Sequence, residues 1–218
     1  MRRASLVVLF SALAACKPEP EPDFTETFAG PYDLVDVSTA GGRIELSAGG
    51  DAAVEMEFLP STSDIWIADE ADGVLTLVGA CFGDEVAGCS GGFLLTVPAG
   101  QAIRAKSDSG EIDFLADLSG TLDAQTASGA IEFQDTRAAD ATLLTGTGEV
   151  RARFAEAPAA LSFDTGSSLL SVALPAGRYD LDLDTTGQQT VAPEIEDGNG
   201  PTIRLHSGTG TIDLFATD

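Results

Sequence analysis

The sequence predicts an all-β fold, a β-solenoid or right-handed parallel β-helix-like stack of coils about 19–21 residues long. Three observations predict it. Two-residue alternation dominates after residue 24, as in Val54-x-Met56-x-Phe58, Phe93-x-Leu95-x-Val97 and Leu181-x-Leu183, and hardly any helical period competes with it. A unit of alternating apolar residues, a Ser or Thr, and then Gly-x-Ile/Val recurs, with Gly110, Gly129 and Gly148 spaced 19 residues apart in both steps. The same frame also opens and closes the main segment. Val35-x-Val37-x-Thr39-x-x-Gly42-x-Ile44 stands near its start, and Ile203-x-Leu205-x-Ser207-x-x-Gly210-x-Ile212 repeats the copy at Ile103 after 100 residues.

The elements follow in order. Arg2 and Arg3 precede an apolar stretch from Leu6 to Ala15 that ends in Leu13-Ala14-Ala15-Cys16. A positive start and a short apolar run predict a secretory signal peptide over residues 1–15, too short to stay in a bilayer as a spanning helix. The cysteine behind a small-residue cleavage site resembles the bacterial lipoprotein signal. That resemblance implies cleavage before Cys16 and lipid attachment to it. Lys17 stands where an aspartate would signal retention, so the resemblance further implies the outer membrane. Residues 16–23 carry alternating prolines, which block helix and sheet and leave an extended tether. At ~3.1 Å per residue it holds the next residues about 20 Å from the lipid.

Residues 24–218 read as one domain. Each motif copy supplies a strand of three or four inward side chains, a glycine corner and a second short strand, and the glycines Gly42, Gly110, Gly129, Gly148 and Gly210 allow positive φ at that corner. Stacking places Ile112, Ile131 and Val150 in one inner column and Phe114 and Phe133 in another. The Ser and Thr of the motif form a hydrogen-bonded ladder beside the glycines. The period fails near residues 60–92, which read as an irregular insertion. Cys81 and Cys89 bound a short glycine-bearing loop there, and in an oxidising compartment they form a disulfide, with free thiols or a metal pair as the alternatives. Residues 155–158 and 188–201 read as loop excursions. Thr165-Gly166-Ser167-Ser168-Leu169 reads as a copy with an extra residue, hence a bulge.

Composition limits the function. Loss of residues 1–15 removes Arg2 and Arg3 and leaves 9 basic residues against 35 acidic ones, a net charge of −26. Such a surface repels nucleic acid and anionic lipid. A glycosidase would need two carboxyl groups about 5–9.5 Å apart beside a groove. Asp113, Glu132 and Arg151 are expected to face outward from successive coils, and Glu111 and Glu149 form a second column, a pattern that an acidic solvated face explains. Asp180, Asp182 and Asp184 leave one strand on one face, making them the candidate divalent-ion ligands, for Ca²⁺, if Glu194, Glu196 or Asp197 joins them. The Gly-rich runs at Thr145–Gly148 and Ser207–Gly210 lack the lysine and helix of a phosphate loop. His206, the only histidine, is expected to face solvent. Tyr32, Trp66 and Phe82 are expected to pack in the core or a cap, with an exposed contact as the alternative. No catalytic residues and no enzyme are predicted.

Ser109-Gly110-Glu111-Ile112, Ser128-Gly129-Ala130-Ile131, Thr147-Gly148-Glu149-Val150 and Thr209-Gly210-Thr211-Ile212 resemble the repeats of the bacterial "putative adhesin" family of β-solenoid domains. The resemblance covers about residues 30–218 and implies a fold and a surface-binding role, with no catalytic residues to carry over. The expected function is that of a cell-envelope lipoprotein binding a glycan, wall polymer or envelope protein through an acidic face. The alternatives are an envelope assembly component that binds another membrane protein and, more remotely, a polysaccharide-active enzyme.

Overall fold

The computed structural model describes residues 24–49, 53–60, 64–81 and 90–217, and it is all-β with no helix among them. The signal segment, Cys16 with its tether, Phe82 and Cys89 lie outside the described residues, while Cys81 ends a strand. In chain order the first strands are β1 (Thr25–Phe28), β2 (Leu34–Thr39), β3 (Ile44–Gly49), β4 (Val54–Leu59), β5 (Asp64–Ala71), β6 (Val74–Cys81) and β7 (Gly92–Pro98). The evenly spaced repeats supply β8 (Ile103–Ser107), β9 (Ile112–Phe114), β10 (Thr121–Thr126), β11 (Ile131–Thr136), β12 (Asp140–Thr145), β13 (Val150–Phe154), β14 (Ala160–Thr165) and β15 (Leu170–Pro175). The last are β16 (Gly177–Thr185), β17 (Gln189–Val191), β18 (Ile195–Ser207) and β19 (Ile212–Thr217).

Each motif copy gives one strand to each of two sheets. The strand after the glycine corner joins a sheet ordered β1-β4-β7-β3-β9-β11-β13-β15-β19-β17, and the strand before it joins one ordered β16-β18-β14-β12-β10-β8-β2-β6-β5. Because the motif frame is the same in each copy, parallel pairing at equal register brings like residues side by side. Ile44, Ile112, Ile131, Val150, Leu170 and Ile212 form one column, so the expected column is present and extends further. Opposite it run Val35, Ile103, Leu122, Ala141, Leu161 and Ile203. All of these are buried. Phe114 and Phe133 stack at 4.6 Å between ring centres, and Phe133 meets Phe163 of the other sheet at 5.6 Å. Each such ring contributes about 1.5–3 kcal/mol by leaving water.

Five expectations need correction. The repeats do not stack in sequence order throughout: β2 and β3 lie between the β6/β7 and β8/β9 pairs, and β18 and β19 lie between β14/β15 and β16/β17. The complete copies, with an apolar residue in each of the two columns, take the places that are covered on both sides. The incomplete β16/β17 copy, which has Gln189 opposite Ile212, goes to an end. Pairing is also not parallel everywhere, since β1–β4, β4–β7 and β5–β6 are antiparallel. The supposed irregular stretch holds the β5–β6 hairpin, closed by Asp72-Gly73 with φ of 52° and 78°. A two-residue Asp-Gly loop of that hand matches the twist of paired strands. Within 188–201, β17 and the start of β18 are strands and not loop. Finally, the Thr165 copy has no extra residue, because Thr145 pairs with Thr165 and Val150 with Leu170. A serine, Ser168, simply stands where the other copies have glycine. The register shifts lie elsewhere, between Phe133 and Thr136 and between Tyr179 and Asp180.

Candidate functional surface

The corner between the two strands of a copy fixes everything outside it. The predicted Ser/Thr ladder is present, and its partner is the glycine three residues on. Gly110, Gly129, Gly148 and Gly210 donate their N–H to Ser107, Thr126, Thr145 and Ser207 at 2.7, 2.9, 3.0 and 3.1 Å. Positive φ is not the reason for glycine here; among the described glycines only Gly73 and Gly100 have it. The reason is contact between coils. A Cβ on Gly110 would lie 1.9 Å from the Gly42 carbonyl oxygen, one on Gly129 1.9 Å from that of Gly110, and one on Gly148 1.7 Å from that of Gly129. At these glycine corners the stacking distance leaves no room for a side chain; only the Ser168 copy carries one.

With corners locked, outward side chains of neighbouring coils fall into rows across each sheet. A recurrent arrangement on the outer surface is a basic side chain held between two acids. Arg104 lies between Asp36 (3.4 Å) and Asp123 (3.2 Å), and Arg137 between Asp117 (3.4 Å) and Glu156 (3.3 Å). His206 lies between Asp164, 3.0 Å from Nδ1, and Asp184, 3.7 Å from Nε2. The hydrogen bond to Asp123, followed by the charge of Asp36, raises the pKa of the Arg104 guanidinium above its ordinary value. Such exposed pairs contribute about 0–1 kcal/mol each.

His206 faces solvent, as expected, but its place between two acids 22 and 42 residues away was not legible, because β18 is inserted between β14 and β16. Asp180, Asp182 and Asp184 do leave one face of β16. They do not converge. Asp182 reaches Arg204 at 3.8 Å and Asp184 reaches His206, while Glu196 is held by Arg178 at 2.9 Å and Asp197 accepts the Leu181 N–H at 3.3 Å. Among the described residues no three His, Cys, Asp or Glu side chains form a group able to hold a metal ion.

Asp113 departs from expectation. Its side chain is 2% exposed, beneath the Arg43 guanidinium, whose Nε lies 2.6 Å from its Oδ2. Arg43 also reaches Glu45 at 2.9 Å and Glu111 at 3.9 Å. The Asp113 hydrogen bond is the main cause of the raised Arg43 pKa. Arg151, expected to face outward, pairs with Glu149 at 2.8 Å. A glycine-adjacent arginine 70 residues upstream gave no local signal, because β3 becomes a neighbour of β9 only through the folded order. Trp66 packs edge-on against Phe28 at 6.5 Å, and Tyr32 donates to Glu70 at 2.5 Å. Burial, then that hydrogen bond and the charge of Glu70, push the Tyr32 phenol up to about 12.

Open hollows interrupt the outer faces, two of them as follows. One of about 470 Å³ lies at the corner of β2, β8 and β10 and is lined by Ser38, Lys106, Asp108 and Gln125. The other, of about 400 Å³, lies over β3, β4 and β7 and is lined by Glu45, Ser47, Glu55, Glu57 and Thr96.

No protein-family model matches the chain, and no curated protein matches it. Solved structures that align with it include a "putative cell adhesion protein" from Clostridium sporogenes, at 10% identity over 88% of this chain and 99% of that one, with a TM-score of 0.48. A "putative adhesin" from Bacteroides fragilis aligns at 13% identity over 87% of this chain and 95% of its own, with a TM-score of 0.39. Both names concern bacterial adhesion, and at these identities and scores they say nothing of this chain's ligand.

Proposed function

We propose that this chain is a bacterial envelope lipoprotein, anchored through Cys16 to the outer membrane, whose residues 24–218 act as a single β-solenoid binding module without catalysis. The observation that carries the reading is the ordering of the outer faces. Arg104, Arg137 and His206 are each held between acids from neighbouring coils, so the surface is set before any partner arrives. A preformed surface binds without the cost of ordering its side chains. Its repeat is the strand spacing of about 4.8 Å, which suits a linear polymer lying across the coils. The partner class is a glycan, wall polymer or envelope protein.

The full chain, purified in detergent and immobilised, is offered soluble envelope polysaccharide and wall fragments with and without Ca²⁺. Saturable retention of one polymer supports the reading, and a dependence on Ca²⁺ would bring Asp180, Asp182 and Asp184 into the site. Turnover of the polymer, or no retention of any envelope component, contradicts it. The open end of the stack at β16 favours a protein partner as a second reading.

A further inference from the structure

We infer that the free edge of β16 is a docking site for an extended segment of a partner protein in which basic and apolar residues alternate. The inference deepens the binding-module reading by naming a partner class for one part of its surface. β16 is the last strand of its sheet, so one side of a nine-residue strand has no neighbour among the described residues. A free strand edge is a template for a further strand.

Both faces of that edge are cut in mid-pattern. On the inner face Leu181 and Leu183 continue the columns of Ile203 and Leu205, which are buried, yet they themselves are only partly covered. The next strand would need apolar residues at those two positions. On the outer face the recurrent arrangement is a basic side chain between two acids. Asp182 and Asp184 have Arg204 and His206 on one side and solvent on the other, at 73% and 80% side-chain exposure. Asp180 pairs in register with Thr202 and has no cation in its row. A neighbour with Arg or Lys at alternate positions would extend these rows as opposite charges directly across strands. The required pattern is therefore basic-apolar-basic-apolar-basic, whichever way the added strand runs.

A second copy of this chain does not fit that requirement. The other sheet edges are β1, with Glu26, β17, without charge, and β5, with Asp69 and Glu70. The one cation of β16, Arg178, is already held by Glu196. Pairing β16 with β16, β1 or β5 of another copy would set acid against acid, and β17 offers no cation, so the three aspartates select a foreign, basic strand.

The test titrates the full-length chain in detergent into a labelled nine-residue peptide of alternating arginine and valine or leucine. A second peptide has the same composition, with its arginines in one block. Hydrogen exchange is followed at residues 181–185. The alternating peptide is expected to bind saturably, at least about tenfold more tightly than the block peptide, and to protect the β16 amides. The triple variant D180N/D182N/D184N, first shown to unfold at the wild-type midpoint, is expected to lose at least about tenfold in affinity. Equal binding of the two peptides, absent protection at β16, or no saturable binding would overturn the proposal. If the triple variant fails to fold, the peptide comparison and the exchange pattern on the wild-type chain still decide. Polymer retention with a failed peptide titration would sink this proposal and leave the binding-module reading standing.

Discussion

Two corners, one coil apart, differ where the third residue changes from Thr147 to Ser167 and, with more consequence, where the fourth changes from Gly148 to Ser168. At Thr145-Gly146-Thr147-Gly148 the threonine hydroxyl accepts the Gly148 N–H at 3.0 Å, and the glycine lies against the backbone of the preceding coil. At Thr165-Gly166-Ser167-Ser168 the register is unbroken, but a side chain occupies the fourth position. There the Thr165 hydroxyl is buried without a partner, and Ser168 Oγ donates instead to Thr147 O at 2.5 Å. The stack tolerates one Cβ at this position, and the corner's internal hydrogen bond is what it loses. Glycine therefore serves the distance between coils, and the hydroxyl serves the glycine.

The largest expected effect lies beneath both corners. Phe133 stacks on Phe114 and Phe154 and reaches Phe163 across the sheets, so Phe133→Ala removes a contact common to the regular coils. A loss of about 3–5 kcal/mol is expected from urea unfolding, setting the scale for the corners. Thr126→Val keeps the shape of a regular corner and deletes the acceptor of the Gly129 N–H. It is expected to cost about 1–3 kcal/mol, because a buried donor is left unpaired. The same substitution at the irregular corner, Thr165→Val, removes a hydroxyl that has no partner, so unfolding is expected to be unchanged or delayed by up to about 1 kcal/mol. Equal losses at the two threonines would break the comparison.

The smallest effect is a titration away from the corners, whose hydroxyls do not ionise in this range. Tyr32 holds its proton to about 12 in the fold against 10 in the unfolded chain. The Tyr32–Glu70 bond therefore contributes fully below pH 10, and its contribution is lost as pH rises from 10 through 12. At this partly exposed site the change is expected to be about 0.5 kcal/mol or less, and Tyr32→Phe should remove that part of the pH dependence of the unfolding midpoint.

Much of the interior was legible because the motif repeats its frame. The columns through Ile112, Ile131 and Val150, the Phe114–Phe133 stack, the Ser/Thr ladder and the outward face of Asp180, Asp182 and Asp184 all follow from period-two alternation. The same sameness hid the order of the strands. Copies with one frame are interchangeable as neighbours, so nothing local says that β18 pairs with β14 or β3 with β9. The missed surface pairs stem from this: Arg43 over Asp113, and His206 between Asp164 and Asp184. The Asp72-Gly73 hairpin was within reach, since that dipeptide between apolar alternations is a turn signal. The role of the motif glycines was not, because a close approach between coils has no signature within one coil.

The most direct measurement compares urea unfolding of Gly148→Ala and Ser168→Ala. They introduce or keep a Cβ at one corner position in adjacent coils. A methyl on Gly148 would meet the Gly129 carbonyl oxygen at 1.7 Å, so a loss of about 3 kcal/mol or more is predicted. Ser168→Ala gives up only the hydroxyl bond to Thr147 and should lose about 1 kcal/mol or less. Equal, mild losses would contradict the account and return the glycines to an ordinary turn.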